Sequence, residues 1–135
     1  METYELLLTY NIKPSVQRIA IMDFLLTHRT HPSAEDVYAK LSETMPTLSK
    51  TTVYNTLKLL SENGAALMLT IDEEKICYDG DTSPHTHFLC KECGKIYDLS
   101  INTPTNIETE MNAGGHRITE IHYYYRGICK NCLTK

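Results

Sequence analysis

The feature that most constrains this chain is a doubled cysteine pattern, Cys90-Lys91-Glu92-Cys93 and Cys129-Lys130-Asn131-Cys132. Two thiols two residues apart can close on one ion from a single turn, and two such knuckles supply the four sulfurs of a tetrahedral zinc site. Four thiolates fill that shell and leave no position for a substrate, so the implied site is structural. The fold must therefore bring residues 90–93 and 129–132 together. Between them the pattern reads as strands over 87–90 and 95–99, then a short helix over 105–112 with Ile107 and Met111 inward, ended by Gly114-Gly115. A further strand is expected from His116 to Arg126. A unit of about fifty residues buries little core and needs such a staple.

The whole chain has 135 residues, enough for one domain or two small ones. In a reducing cytosol, the four of the five cysteines that form two CxxC pairs are expected as metal ligands rather than disulfide partners. The opening METYELLLTYNIK lacks a basic start followed by a longer apolar run and a cleavage site, so a cytoplasmic protein is expected. Nothing approaches the ~20 apolar residues of a membrane span. A formal charge of −4 argues against coating nucleic acid through bulk positive charge, but leaves room for a local reading surface.

The first half reads as helices followed by a hairpin. Residues 1–10 are apolar-rich and are broken by Asn11. Ser15 is placed to cap a helix to about residue 28, with Val16, Ile19, Ala20, Phe24 and Leu25 at helical spacing. Ser33 caps a second helix from Ala34 to about residue 43, with Glu35 and Asp36 in its first turn and Val37, Tyr38 and Leu41 inward. Ser49 opens another to about residue 63, ended by Gly64 in a left-handed cap. Residues 65–71 and 75–78 then flank the polar turn Asp72-Glu73-Glu74 as a β-hairpin. This is the order of a winged helix-turn-helix.

On the helix after Ser49, Val53, Leu57 and Leu60 share one face. Ser49, Thr51, Thr52, Tyr54, Asn55 and Lys58 supply hydroxyls, a phenol, an amide and a cation around its start and outer face, groups that reach base edges and phosphates when a helix enters the major groove. Lys13 and Arg18 could add phosphate contacts. The plain alternative is a solvated amphipathic face; the hairpin behind it and the short helix before it favour DNA.

Five residues remain: His31, Asp79, His85, His87 and Asp98. Each alone has an ordinary explanation, but together they form a nitrogen and oxygen set suited to Fe²⁺, Mn²⁺, Co²⁺ or Zn²⁺. Cys77 alternates with Ile76 and Tyr78 on the second hairpin strand and reads as a small buried hydrophobe.

Four stretches carry a likeness to a known family: HPSAEDVY at 31–38, SKTTVYNTLKLL at 49–60, HTHFLCKECGKIYD at 85–98 and GICKNC at 127–132. In this combination the sequence resembles the ferric uptake regulator (Fur) family of bacterial metal-dependent repressors through nearly its whole length. The resemblance implies an α+β protein: a winged helix-turn-helix over 1–80, a hinge at 81–84, and a small α/β dimerisation domain over 85–135. It implies structural Zn²⁺ on Cys90, Cys93, Cys129 and Cys132, and regulatory Fe²⁺ or Mn²⁺ on His31, Asp79, His85, His87 and Asp98. The implied partners are a second copy of the chain and a palindromic double-stranded DNA operator, with no membrane and no small organic substrate. Within the family, iron-uptake regulators generally carry Glu where Asp98 stands, and the position aligned with their last-strand His is Ile121, although His122 lies next to it. Pro84 and Thr86 stand where an extra metal site often has His and Asp. The chain therefore looks like the peroxide-sensing PerR branch, in which an iron-derived oxidant attacks ligand histidines, here His31 and His85.

Since those ligands are spread over both halves, one ion holding all of them would fix the angle between the halves. In a C₂ dimer that angle sets whether two recognition helices match half-sites one turn, ~34 Å, apart. Metal and operator would then raise each other's affinity equally. Two rival classes stand beside this. A mononuclear metalloenzyme using His85, His87 and a carboxylate would turn over a small substrate repeatedly. A zinc-stapled interaction module without a regulatory ion would bind DNA equally with or without added iron or manganese. Within the family, an iron-, zinc- or manganese-uptake regulator is the nearest competitor.

Overall fold

The computed structural model describes residues 2–82, 86–99, 113–116 and 122–134. The chain divides into two compact units, Met1–Ser83 and Pro84–Lys135.

In the first unit, α1 (Thr3–Thr9), α2 (Val16–Thr27), α3 (Ala34–Leu41) and α4 (Lys50–Glu62) precede β1 (Leu67–Leu69) and β2 (Cys77–Asp79). Each boundary has a local cause. Asn11, at φ 61, turns the chain after α1. The Ser15 side chain accepts from the Arg18 N–H, and that of Ser49 from the Thr52 N–H. Ser33 and Asp36 form a reciprocal capping box at α3, satisfying donors that a helix start leaves open. Gly64, at φ 86, stops α4, and the Ala65 N–H returns to the Leu60 carbonyl at 2.8 Å. The helix α3 ends at Leu41, two residues short of the sequence expectation, because residues 42–44 form a turn.

The apolar stripes of these helices meet in one core. Leu7, Ile21, Met22, Leu25, Val37, Val53, Leu57 and Leu60 are each 0% exposed. The hairpin pairs antiparallel with Leu67 opposite Asp79 and Leu69 opposite Cys77. It is fastened near the start of α3 by the Tyr78 N–H, which donates to the Pro32 carbonyl at 2.8 Å. Gly80 follows β2 where a Cβ would lie 2.8 Å from the Leu25 carbonyl oxygen, so only glycine fits. Cys77 is 1% exposed, in keeping with a packing role.

The second unit holds β3 (Thr86–Cys90), β4 (Ile96–Leu99) and β5 (Tyr124–Gly127) in the order β4-β3-β5. A helical turn, Lys130–Leu133, closes the described chain. The central strand β3 pairs antiparallel with β4, setting His87 opposite Asp98, and parallel with β5, setting His87 opposite Tyr124 and Cys90 opposite Gly127. The strand expected from His116 to Arg126 needs correction at both ends. His116 follows a 3₁₀ turn at Ala113–Gly115, and the strand runs from Tyr124 to Gly127, where the register with β3 begins and ends. The helix expected over 105–112, with Ile107 and Met111, lies outside the described residues, as do Ile121, Pro84 and His85.

Candidate metal centres and DNA-reading surface

The sheet places the cysteines. Cys90 ends β3, and Gly94, at φ 77, lets the chain turn back after Cys93. Cys129 caps the final helical turn, and Cys132 lies within it. Because β5 runs parallel to β3, the two knuckles emerge at the same end of the sheet. Cys90 Sγ lies 3.7 Å from Cys132 Sγ, and Cys93 Sγ lies 3.9 Å from Cys129 Sγ. All four sulfurs fall within 4.8 Å of one another. Zinc–sulfur bonds of ~2.3 Å in a tetrahedron put sulfurs about 3.8 Å apart, so these residues fit a closed ZnS₄ shell.

The electrostatics agree. Backbone N–H groups of Cys93 and Cys129 donate to Cys90 Sγ at 3.5 and 3.3 Å. These bonds, Cys93's first, hold the Cys90 thiol below its ordinary range. The Tyr97 hydroxyl bonds to Cys129 and pulls that thiol down to about 6, while Tyr97 itself rises to about 12. Cys132, facing Cys129, is pushed up to about 12. Four sulfurs this close cannot all ionise unless a cation compensates their charge. Cys90, Cys129 and Cys132 are buried and Cys93 is exposed.

The candidate nitrogen and oxygen ligands among the described residues come in pairs within each unit. In the first, His31 Nε2 lies 3.5 Å from an Asp79 carboxylate oxygen, both side chains buried. His31 takes φ 56, unusual for a residue with a Cβ, and such a backbone persists only where its surroundings fix it. The Asp79 carboxylate also accepts the Asp81 N–H at 2.9 Å. Asp81 itself turns to Arg29, 3.3 Å away. In the second unit, the β3–β4 register brings His87 Nε2 within 3.4 Å of Asp98 Oδ1, with His87 buried and Asp98 exposed. His85 lies outside the described residues.

The candidate reading surface lies on α4, α2 and the residues just before α2. Lys13, Arg18, Thr52 and Asn55, with Pro14, Ser15, Gln17 and Thr56, line an open basin of about 410 Å³. Arg18 Nη1 donates to the Lys13 carbonyl at 2.8 Å, which fixes the two basic residues beside each other. Thr51, Tyr54, Asn55 and Lys58 are exposed on α4 while Val53, Leu57 and Leu60 are buried behind them. Several of these groups have local partners. The Ser49 hydroxyl donates to Thr52 Oγ1 at 2.9 Å, Lys58 sits 3.9 Å from Glu62, and the Tyr54 hydroxyl donates to Glu35. Glu35, Gln17 and Thr56 were not expected here. Glu35 is nineteen positions from Tyr54, and no local pattern links them.

A winged helix-turn-helix with an exposed recognition helix, followed by an α/β unit carrying a tetrathiolate centre, defines a metal-binding transcriptional regulator. The ferric uptake regulator family profile matches residues 9–126. The peroxide-responsive repressor PerR of Staphylococcus aureus (strain Mu50 / ATCC 700699) is 34% identical over 130 residues, covering 92% of this chain and 84% of that protein. A Campylobacter jejuni peroxide stress regulator superposes with TM-score 0.72 at 26% identity, over 95% of this chain and 94% of that one. The ferric uptake regulator from Pseudomonas aeruginosa with manganese gives TM-score 0.74 over 96% of this chain and 99% of that one; at 22% identity it speaks for the fold alone. The chain belongs to the ferric uptake regulator family. It is accordingly a metal-responsive, DNA-binding transcriptional repressor rather than an enzyme. No helix among the described residues is long and apolar enough to cross a membrane.

Proposed function

We propose that this repressor senses hydrogen peroxide. The observation that carries the reading is the 34% identity to a peroxide-responsive repressor over 92% of the chain, supported by an aspartate, Asp98, rather than a glutamate beside His87. Zn²⁺ is held by Cys90, Cys93, Cys129 and Cys132. The regulatory ion, Fe²⁺ or Mn²⁺, is held by His31, Asp79, His85, His87 and Asp98, of which His31–Asp79 and His87–Asp98 are each close pairs. Bound iron would supply redox chemistry with peroxide, by which one peroxide oxygen is added to a ligand histidine, His31 or His85, and the other leaves as water. Each imidazole gives the ion a neutral nitrogen, and each carboxylate balances its charge and orients the neighbouring ring. An oxidised imidazole is a poorer donor, so its oxidation would weaken the site and, with it, the hold on DNA.

The protein acts as a homodimer on a palindromic operator, each half-site read by Thr51, Tyr54, Asn55 and Lys58, with Lys13 and Arg18 on the phosphates and Ser49 and Thr52 at the helix start. Residues 81–84 serve as the hinge between a reading domain at 1–80 and a dimerisation domain at 85–135.

The test is operator binding by Fe²⁺-loaded and Mn²⁺-loaded protein before and after peroxide, with mass spectrometry of the peptides bearing His31 and His85. Loss of binding in the iron form alone, with one added oxygen on a histidine, is the expected result. Two forms equally indifferent to peroxide would make this a metal-uptake regulator instead.

A further inference from the structure

On the recognition helix, the proton of Tyr54 is already committed. Its hydroxyl donates to a carboxylate oxygen of Glu35, in the first turn of α3. That position lies at the positive end of the helix dipole. The same bond, ahead of desolvation, raises the Tyr54 pKa above its ordinary value. Tyr54 is nonetheless 44% exposed, beside exposed Thr51, Asn55 and Lys58.

The consequence is a change in what the phenol can offer outward. A free tyrosine hydroxyl both donates and accepts, whereas an ionised carboxylate only accepts. With its single proton directed at Glu35, Tyr54 has only oxygen lone pairs left for a ligand. In the major groove, adenine N6 and cytosine N4 present donors, while thymine O4 and guanine O6 and N7 present acceptors. An accepting phenol pairs with the first group and opposes the second.

We propose that Glu35 sets the hydrogen-bond polarity of Tyr54, making it an acceptor that reads an exocyclic amino group, adenine N6 or cytosine N4, in the operator. The inference rests on the DNA-reading role assigned above to α4. Glu35 is a positioning residue in it: its carboxylate acts on DNA through the phenol. The alternative role is distinct, since a bare carboxylate near phosphates would repel DNA of every sequence.

The experiment uses full-length protein loaded with zinc and Mn²⁺, and an operator that the wild type selects from random duplexes. Dissociation constants are measured for every single base-pair substitution with wild type, Glu35→Ala, Glu35→Gln, Tyr54→Phe and the Glu35→Ala/Tyr54→Phe double variant. The wild type is expected to prefer an amino-bearing base at one position per half-site by about 2- to 12-fold, the range of one net hydrogen bond. Glu35→Ala and Tyr54→Phe each abolish that preference while leaving discrimination elsewhere, and the double variant loses no more than Tyr54→Phe. Glu35→Gln, whose amide carbonyl still accepts, retains it. Uniformly tighter binding of all duplexes by Glu35→Ala, with an altered salt slope, would overturn the inference, as would additive losses or a Glu35→Gln variant as indiscriminate as Glu35→Ala. Thermal midpoints equal to wild type show that the exposed pair was changed without unfolding. A wild type that selects no sequence would instead overturn the DNA-reading role itself.

Discussion

Burial pushes the Cys77 thiol up, and desolvation does the same to the neighbouring Tyr78 phenol. An acid with a raised folded pKa contributes stability that is fully present below its unfolded value and is lost as pH climbs through the folded one. For a thiol the loss begins near ~8.5, and for a phenol near ~10. Denaturant midpoints of the wild type are therefore expected to fall above about pH 8.5, and Cys77→Ala to flatten the first part of that fall while costing roughly 1 kcal/mol at neutral pH. Parallel curves for the two proteins would show that the thiol does not contribute. Gly80 is a second single-residue case. A methyl group at 2.8 Å from the Leu25 carbonyl predicts that Gly80→Ala destabilises by about 1–3 kcal/mol, measurable as a lowered thermal midpoint. Cys77's burial fits its reading as a small hydrophobe, but β2 does not alternate, since Tyr78 and Asp79 beside it are buried as well. The positive φ of His31 and the closeness of Asp79 could not be read from the sequence, because both depend on how the hairpin returns to the start of α3.

At the level of elements, what was legible follows the range of the interactions. Ser15, Ser33 and Ser49 mark helix starts correctly because a cap acts within three residues. The α4 stripe of Val53, Leu57 and Leu60 is equally local. Ser33→Ala removes one half of a capping box and is expected to cost about 1 kcal/mol, whereas Leu57→Ala, at 0% exposure, is expected to cost about 2–5 kcal/mol. Equal midpoints for the two variants would contradict this ranking. Among the described residues β5 is limited to Tyr124–Gly127, and since a parallel pairing with β3 leaves no turn signal in the sequence, its limits come from the partner's register. The Glu35–Tyr54 bond likewise leaves no local signal, since it joins two helices across the turn between them.

For the whole molecule, the cysteine pattern is the most informative text in the chain, because four thiols that gather within 4.8 Å of one another constrain distant segments at once. The sulfur separations of 3.7 and 3.9 Å fit the tetrahedral shell of a zinc–thiolate site. Chelating the zinc is expected to abolish the sheet of the second unit while the helices of the first persist. Circular dichroism and limited proteolysis would register this, and full retention of the sheet would contradict a structural role. The nitrogen and oxygen set was legible as a composition of ligands, and its two His–carboxylate pairs emerge only from the fold. Its function is best tested by the affinity of the full-length protein for its operator with and without Mn²⁺, in wild type and in His31→Ala. Coupling between metal and DNA predicts a wild-type gain of about 5- to 150-fold, falling to no gain in the variant while metal-free affinity and zinc content stay unchanged. A variant that retains the wild-type gain would contradict the assignment of His31 to the metal that controls DNA binding.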